Sequence, residues 1–320
     1  ATIFVQEMNA TNEFAVRPNS VEIKTNGRTN IKAWFPVNQK FDRYTWQDGF
    51  LYQATITCDG LSEDTNEFKL VFSNQPKQSK TCFCNRDLTA DELRNIVIEL
   101  RKNEVYIAKG KLLRDIEGTP LLKSGKKQFV DITMYDELSD DLFNLDYPEK
   151  LDSADANYSK FAEALNKTFK DYEINTCIRK IHFLAQCYHE TQRFTITYEK
   201  NPNSNVSGGP FYRGRGLIQL THDYNYEKLK KALNISSPLN DFVPKVAKEI
   251  NFACQASGFF WKNVGAKTGN INQYADKDDV LTVSREINGY AKVPNGFNDR
   301  KLFTDILKKV MKYETCKNKK

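Results

Sequence analysis

Two glutamates near the middle of the chain have a spacing that suits acid–base chemistry. Glu190 ends the apolar run 177–190, which predicts a helix buried in a core, so its carboxyl group should lie beside an apolar interior. Glu199 follows nine residues later, after the alternating segment 194–198, which predicts a short strand. A helix end and a strand end can place two carboxylates on opposite walls of a groove, as glycoside hydrolysis requires. A glutamate at a helix end is usually a solvated surface acid, so the flanking sequence matters.

The segment that follows has the side chains that a sugar site needs. Residues 207–226 have the sequence SGGPFYRGRGLIQLTHDYNY, a glycine-rich turn followed by amides, hydroxyls and aromatic rings. Amides and hydroxyls can hydrogen-bond to sugar hydroxyls, and aromatic faces can pack on the apolar faces of sugar rings. The composition of this segment therefore favours a carbohydrate ligand.

Five ordered motifs connect this region to a known family. They are the residues 189–191 (HET), 212–221 (YRGRGLIQLT), 224–226 (YNY), 287–289 (ING) and 295–300 (NGFNDR). Together they resemble the family 19 glycoside hydrolases, the chitinase and phage-endolysin group, whose catalytic domain has a lysozyme-like fold. The resemblance implies that the chain is a glycoside hydrolase.

The resemblance also implies a role for each matching residue. Glu190 aligns with the general acid that protonates the departing oxygen, Glu199 with the general base that activates water, and Thr221 with a serine that helps hold that water. The matching substrate-binding residues are Tyr212, Gln219, Tyr224, Asn225, Asn288 and Arg300. Arg300 is expected to support the acidic site, because a buried guanidinium that pairs with a carboxylate fixes its orientation. Family members invert configuration, which requires the two carboxyl groups to be about 6.5–9.5 Å apart.

Two features favour peptidoglycan over chitin as the substrate. Only eight residues separate Glu190 from Glu199, so the chain looks more like the compact cell-wall lysozymes of phages and type VI secretion effectors than like plant chitinases. Residues 159–320 contain 27 Lys and Arg against 16 Asp and Glu, a net charge of +11, whereas residues 1–158 have a net charge of −5. A basic catalytic half suits the carboxylates of peptidoglycan stem peptides. Chitinase activity is the alternative.

The expected biological role follows from this substrate. A lysozyme-type hydrolase of this kind would be an antibacterial effector or an endolysin-like toxin that acts in the periplasm or cell wall of a target bacterium. Its expected partners are peptidoglycan strands, an immunity protein and a secretion apparatus. No signal peptide is visible, and no apolar stretch reaches the roughly 20 residues that a membrane span needs. We therefore expect secretion without membrane insertion.

Residue patterning divides the chain into three parts and predicts an α+β protein. Residues 1–84 have β-rich runs separated by turn signals, which predict a small all-β, sandwich-like domain of unknown role. Residues 85–156 predict a mixed connecting segment, with a helix capped by Thr89 and Glu92 and a solvated acidic stretch. Residues 157–320 predict a mainly α-helical, lysozyme-like catalytic domain.

Other functions have weaker support in the sequence. Cys82 and Cys84 form a close pair, but no second close pair exists and the three histidines lie far along the chain. Buried thiols or one local bridge are therefore expected, with no metal and no cofactor.

Cys187 as a nucleophile would lie within the apolar helix, where a thiol is normally inert. Nucleic-acid binding would use the basic half, but no recognised module surrounds it. A non-catalytic wall-binding protein is the main competitor, and the presence of both glutamates argues against it.

Overall fold

The protein consists of two compact units, Ala1–Lys77 and Gln78–Lys320. The structure is a computed structural model that describes residues 82–114, 118–202 and 204–316, together with four strands nearer the N-terminus.

The described part of the first unit is one antiparallel sheet. Its strands are β1 (Thr2–Glu7), β2 (Leu51–Cys58), β3 (Leu61–Asp64) and β4 (Phe68–Lys69). β2 pairs with the other three strands, and its register with β1 places Thr57 opposite Thr2. β-branched and aromatic residues in β1 and β2 favour this extended pairing. The sandwich-like domain expected over residues 1–84 lies largely outside the described residues and stays a prediction.

The second unit is mainly helical. Its helices are α1 (Ala90–Lys102), α2 (Met134–Leu138), α3 (Tyr158–Asp171), α4 (Cys177–Glu190), α5 (Asp223–Ala232), α6 (Leu239–Phe242), α7 (Lys245–Lys248), α8 (Ile250–Phe259), α9 (Asn272–Ala275), α10 (Val280–Asn288) and α11 (Phe297–Val310). Its strands form two antiparallel hairpins, β5 (Val105–Leu112) with β8 (Phe129–Thr133) and β6 (Leu122–Lys123) with β7 (Lys126–Lys127). α3 packs on α8 and α4 packs on α11, with Leu165, Leu184 and Leu307 fully buried.

None of the helices in the described part of the chain is both long and apolar enough to cross a membrane.

The helices begin where side chains can cap them. Thr89 Oγ1 accepts a hydrogen bond from the Glu92 amide (3.1 Å), and the Glu92 carboxylate accepts one from the Thr89 amide (3.0 Å), which confirms the predicted capping box of α1. Thr176 caps α4 by accepting from the Arg179 amide (3.3 Å). These bonds satisfy amides that have no partner in the first turn of a helix. α4 ends at Glu190, as the apolar run predicted.

The segment expected to connect two domains is instead part of the helical core. α1 buries an apolar face that consists of Leu93, Ile96, Val97 and Leu100. The fully buried Arg101 donates to the carbonyl oxygens of Ser139 (2.9 Å) and Arg193 (2.7 Å). Within the acidic stretch expected to be solvated, Leu142, Phe143 and Leu151 are buried. Burial of these apolar side chains is favourable, and it leaves neighbouring charges such as Asp141 and Asp146 exposed to solvent. Residues 85–156 therefore belong to the same compact unit as α3 to α11.

Candidate active site

Glu190 is the last residue of α4 and forms an ion pair with an arginine distant in sequence. Arg300, in the first turns of α11, is 1% exposed, and its Nη2 donates to Glu190 Oε1. Its Nη1 donates to Gln186 Oε1 (2.5 Å), one turn earlier on α4, and its Nε donates to the Asn295 carbonyl oxygen (3.0 Å). Instead of the apolar interior expected from the sequence, the Glu190 carboxylate thus faces a buried guanidinium, which fixes one of its oxygens.

Close packing between α4 and α11 brings Arg300 to Glu190. Gly296 caps α11 in the left-handed conformation (φ +65°), and a Cβ at this position would lie 2.0 Å from Cε1 of His189. Glycine is therefore required for this approach. Burial, followed by the charges of Arg300 and Arg193, lowers the pKa of His189 to about 4. The imidazole that lies between the two helices is consequently neutral near pH 7.

A compact turn, and not the expected strand, connects α4 to Glu199. Residues 192–194 all have positive φ angles (50°, 71° and 58°). Thr191 Oγ1 accepts a hydrogen bond from the Phe194 amide (3.0 Å) and donates to a carbonyl oxygen of α4 (2.6 Å). A threonine side chain that bonds the nearby backbone favours a turn over a strand ladder. The segment 194–198 accordingly forms turns and one β-bridge residue, despite its alternating pattern.

The Glu199 carboxylate rests on the glycine-rich loop beside Gln219. Glu199 Oε2 accepts a hydrogen bond from the Gly214 amide (2.9 Å). A Cβ on Gly214 would lie 2.9 Å from Gln219 Oε1 and 3.1 Å from Glu199 Oε2, so only glycine leaves room for both side chains. Gln219 itself adopts a positive φ of 57°, and its Nε2 donates to the Gly216 carbonyl oxygen (3.1 Å). Strained backbone of this kind is concentrated at functional sites.

Gln219 and Asn225 each have a buried side-chain oxygen that accepts no hydrogen bond within the described chain. Thr221 Oγ1 donates to the Gln219 carbonyl oxygen (2.8 Å), and Asn225 Nδ2 donates to the Thr221 carbonyl oxygen (2.8 Å). Within the described chain, Gln219 Oε1 and Asn225 Oδ1 have no hydrogen-bond partner. A buried acceptor without a partner costs free energy. These two oxygens therefore suit the hydroxyl or amide donors of a sugar.

The two tyrosines expected to contact substrate have different surroundings. Tyr224 is 46% exposed, and its ring stacks on His222 with centroids 5.2 Å apart and planes 7° apart. Tyr212 is half-buried against Tyr226, and its hydroxyl donates to Asn240 Oδ1 at 3.4 Å. An exposed ring held by a neighbour gives a sugar a face on which to stack. Tyr224 presents such a face, whereas Tyr212 supports the loop behind it.

Arg215 anchors the glycine-rich loop through contacts that the sequence did not indicate. Its guanidinium is 1% exposed and lies 5.5–5.9 Å from the ring centroids of Tyr198, Phe211 and Tyr226. Two hydrogen bonds, of 2.7 and 2.8 Å, join it to the Glu149 carboxylate. Glu149 comes from the acidic stretch, 66 residues upstream, so no local pattern revealed the pair. The bidentate pair and the three rings fix Arg215 in one orientation.

Asn288 lies at the end of α10 and braces the loop that leads to Arg300. Asn288 Oδ1 accepts a hydrogen bond from the Asn295 amide (2.8 Å). The last turn of α10 also contains the fully buried Glu286. Its carboxylate accepts hydrogen bonds from the Tyr290 hydroxyl (2.5 Å) and from the Lys267 main-chain amide (2.9 Å). Burial raises the pKa of Glu286, but these hydrogen bonds outweigh that effect and hold it below its usual value. Sequence reasoning missed this carboxylate, whose partner Tyr290 lies beyond the end of α10.

The residues around the two glutamates form two groups, which take their names from the roles that the resemblance implies; the predicted Tyr212, Tyr224 and Asn288 belong to neither group. The acid group is Glu190, Gln186 and Arg300, and the base group is Glu199, Gly214, Gln219, Thr221 and Asn225. Each glutamate has one oxygen held by a donor, Arg300 for Glu190 and the Gly214 amide for Glu199. Among the described residues, no hydrogen bond or ion pair occupies the second oxygen of either carboxylate.

Neither the models of known protein families nor the curated proteins contain a match to this chain. Solved structures similar to this one include chitinase C from Streptomyces griseus HUT6037, with a TM-score of 0.40, 21% identity and coverage of 47% of this chain and 69% of that one. A family GH19, class IV chitinase from Zea mays has a TM-score of 0.38 and 19% identity, over 48% of this chain and 79% of that one. A bacterial family 19 chitinase has a TM-score of 0.36 and 22% identity, over 45% of this chain and 85% of that one.

Proposed function

We propose that this protein is an inverting glycoside hydrolase that cleaves β-1,4 bonds of an N-acetylated glycan. The observation that carries the proposal is the state of the two glutamates. In each of them one carboxylate oxygen accepts a hydrogen bond from the protein and the other is available to react. Two carboxylates in different surroundings are what acid–base cleavage of a glycosidic bond requires. The sequence motifs around both residues point to the same chemistry.

Glu190 is the proposed general acid. Its available oxygen carries the proton that passes to the glycosidic oxygen as the bond to the anomeric carbon breaks. Arg300 then stabilises the carboxylate that remains after the proton has left. Arg300 is buried and also bound to Gln186, so its guanidinium is fixed beside Glu190. Its role is to position Glu190.

Glu199 is the proposed general base. Its available oxygen takes a proton from a water molecule, which attacks the anomeric carbon from the face opposite to the departing oxygen and inverts the configuration. Thr221, whose hydroxyl donates to a carbonyl oxygen of the loop, keeps its own oxygen as an acceptor for that water. Gln219 and Asn225 provide acceptors for the N–H or O–H groups of the sugar.

Peptidoglycan is the proposed substrate, and chitin is the second candidate. The net charge of +11 over residues 159–320 supports an anionic glycan as the substrate, because a positively charged surface attracts a polyanion and raises its local concentration. Both polymers contain N-acetylated sugars that could donate to Gln219 and Asn225, so these residues do not separate them. Charge, together with the short spacing between Glu190 and Glu199, supports the bacterial wall as the substrate.

Mass spectrometry of the products tests this assignment. The full chain is incubated with purified sacculi and, separately, with chitin oligosaccharides, and the new reducing ends are identified. We expect muropeptides with a new sugar reducing end, and no cleavage by Glu190→Gln, while Glu227→Gln on the exposed face of α5 remains active. Cleavage of chitin alone would select the second candidate. Binding to sacculi without any cleavage would indicate a non-catalytic wall-binding protein.

We also propose that the hydrolase acts as an antibacterial effector on the wall of a target cell. Support comes from the basic catalytic half and from the preferred substrate, which lies outside the bacterial cytoplasm. Expression of the chain in a test bacterium should cause lysis when the chain is exported to the periplasm and leave cells intact when it stays in the cytoplasm. Lysis by exported Glu190→Gln would contradict the proposal.

A further inference from the structure

Four cysteines that are far apart in the sequence converge in the second unit. The Sγ atoms of Cys82, Cys84, Cys177 and Cys316 all lie within 4.8 Å of one another. The separations are 3.2 Å between Cys84 and Cys177, 3.3 Å between Cys177 and Cys316, and 3.6 Å between Cys84 and Cys316. A disulfide has an S–S distance of about 2.05 Å. Four thiolates around one zinc ion, with Zn–S bonds of about 2.3 Å, have S–S separations of about 3.8 Å. The cysteine cluster resembles the second arrangement.

Three separate parts of the fold hold these cysteines in place. Cys82 and Cys84 precede α1, Cys177 is the first residue of α4, and Cys316 follows the turn after α11. The Phe83 amide donates to Cys177 Sγ (3.1 Å), and the Cys177 amide donates to Cys84 Sγ (3.1 Å). Backbone amides aimed at sulfur, one of them at a helix N-terminus, suit anionic thiolate acceptors.

A buried lysine beside the cluster gives a second, independent indication. Lys180 lies one turn after Cys177 on α4 and is 2% exposed. Its Nζ donates to the carbonyl oxygens of Phe83 (2.8 Å) and Arg86 (2.5 Å), and none of the ion pairs in the described chain supplies it with a carboxylate. A buried ammonium group needs nearby negative charge to offset its desolvation. A zinc ion with four thiolates has a net charge of −2 and would provide it.

We propose that Cys82, Cys84, Cys177 and Cys316 bind one Zn²⁺ ion in a tetrahedral, structural site. Four protein ligands leave no open position, so the metal takes no part in glycan hydrolysis. It would instead join the residues before α1, the start of α4 and the residues after α11. α4 carries Glu190 at its other end, so the site would fix the helix that supplies the proposed acid. The described cysteines form no disulfide and Cys177 and Cys316 are buried, in line with the expectation of buried thiols, but the sequence did not reveal the cluster because its second pair is assembled from distant residues.

Metal analysis of the full chain tests the site independently of the glycosidase proposal. The protein is purified without chelators from cells grown with zinc, and its metal content is measured together with X-ray absorption at the zinc edge. We expect about one zinc per chain with four sulfur ligands at about 2.3 Å. Stoichiometric iron, or a chain with no metal whose cysteines are paired in disulfides, would overturn the proposal.

Matched cysteine variants sharpen the test. Cys84→Ser and Cys177→Ser should lose zinc, whereas Cys187→Ser and Cys254→Ser, at fully buried thiols outside the cluster, should retain it. Zinc retained by both cluster variants would contradict the assignment. If the cluster variants do not fold, the wild-type chain still tests the zinc site. A chelator should make four additional thiols reactive to alkylation, and the absence of this increase would count against the site.

Discussion

The acid group and the base group are built in different ways. The acid group joins two long helices, since Gln186 and Glu190 come from α4 and Arg300 comes from α11, 110 residues later than Glu190. The base group lies within a short stretch, from Glu199 to Asn225, and is held by backbone amides and carbonyl oxygens of loops. The comparison suggests that the acid depends on core packing, whereas the base depends on local backbone conformation.

The largest expected effect comes from removing either glutamate. Glu190→Gln and Glu199→Gln should each lower the turnover of sacculi by at least about 100-fold, because each removes a proton-transfer group while keeping its shape. Thermal unfolding monitored by circular dichroism should show that both variants remain folded. Retention of near-normal activity by either folded variant would remove that residue from the mechanism.

Added azide distinguishes the proposed base, Glu199, from the proposed acid, Glu190. In Glu199→Ala, a small anion can take the place of the activated water and give a glycosyl azide of inverted configuration. Glu190→Ala lacks the proton donor and should give no such product from a substrate with a poor leaving group. Product configuration is checked by nuclear magnetic resonance. An anhydro sugar or a product of retained configuration from the wild type would exclude direct displacement by water.

Two glycines test whether packing or local backbone controls each group. Gly296→Ala places a Cβ 2.0 Å from the His189 ring, so we expect a loss of about 3 kcal/mol in unfolding free energy. Gly214→Ala places a Cβ 2.9 Å from Gln219 Oε1, 3.0 Å from Gln219 Cβ and 3.1 Å from Glu199 Oε2, so activity should fall about tenfold or more, with a smaller loss of stability than in Gly296→Ala. Urea unfolding and turnover measure the two effects.

Gly125, in the turn between β6 and β7, provides a control for the positive φ angle at Gly296. It has φ +74°, and a Cβ added there would meet no atom within 4 Å, so Gly125→Ala should cost only the backbone strain, about 1 kcal/mol. Equal losses in the two variants would mean that contact with His189 does not limit the approach of α11 to α4.

The salt bridge between Glu149 and Arg215 tests whether the base group also has a long-range support. Glu149→Gln leaves a buried guanidinium without its carboxylate, and the unfolding free energy should fall by about 2 kcal/mol, less than for a fully buried pair because Glu149 is 18% exposed. Asp146→Asn, which breaks an exposed pair with Lys150, should leave stability unchanged. Similar results for the two variants would show that the acidic stretch does not support the loop.

The smallest expected effect is a pH dependence that arises from His189, the neighbour of Glu190 on α4. The pKa of His189 falls from 6.5 to about 4 on folding, so between these values the unfolded chain binds the extra proton and stability decreases as pH falls. The slope is about 1.4 kcal/mol per pH unit, which gives a loss of about 1 kcal/mol between pH 6.5 and 5.5. Denaturant unfolding of the wild type and His189→Gln measures it, and the variant should lack this slope.

Carboxylates with lowered pKa values act in the same direction but in a different pH range. Their contribution to the unfolding free energy is lost only below about pH 4.5, where Glu92, Asp278 and Glu286 become protonated. The interval from pH 6.5 to 5.5 therefore isolates the imidazole. An identical slope in His189→Gln would show that another group is responsible.

Much of the helical unit was determined by the sequence itself. α4 spans the apolar run 177–190 and ends at Glu190, and the capping box at Thr89 and Glu92 begins α1. Helical periodicity and capping are local properties, since they depend on residues three or four positions apart. The motif that contains Gly214 and Gln219 is local for the same reason, and its residues lie together in the base group.

Tertiary structure decided what connects distant residues. The sequence did not indicate that Glu149 would hold Arg215, or that Cys177 and Cys316 would meet the pair at Cys82 and Cys84. Nor did the alternating pattern of 194–198 reveal that a hydrogen bond from the Phe194 amide to Thr191 Oγ1 would favour a turn. Ion pairs, thiol clusters and buried faces gain their free energy from groups that folding brings together from far along the chain. A local window cannot contain that information, so the partner of Arg215 and the convergence of the four cysteines had to be read from the packed molecule.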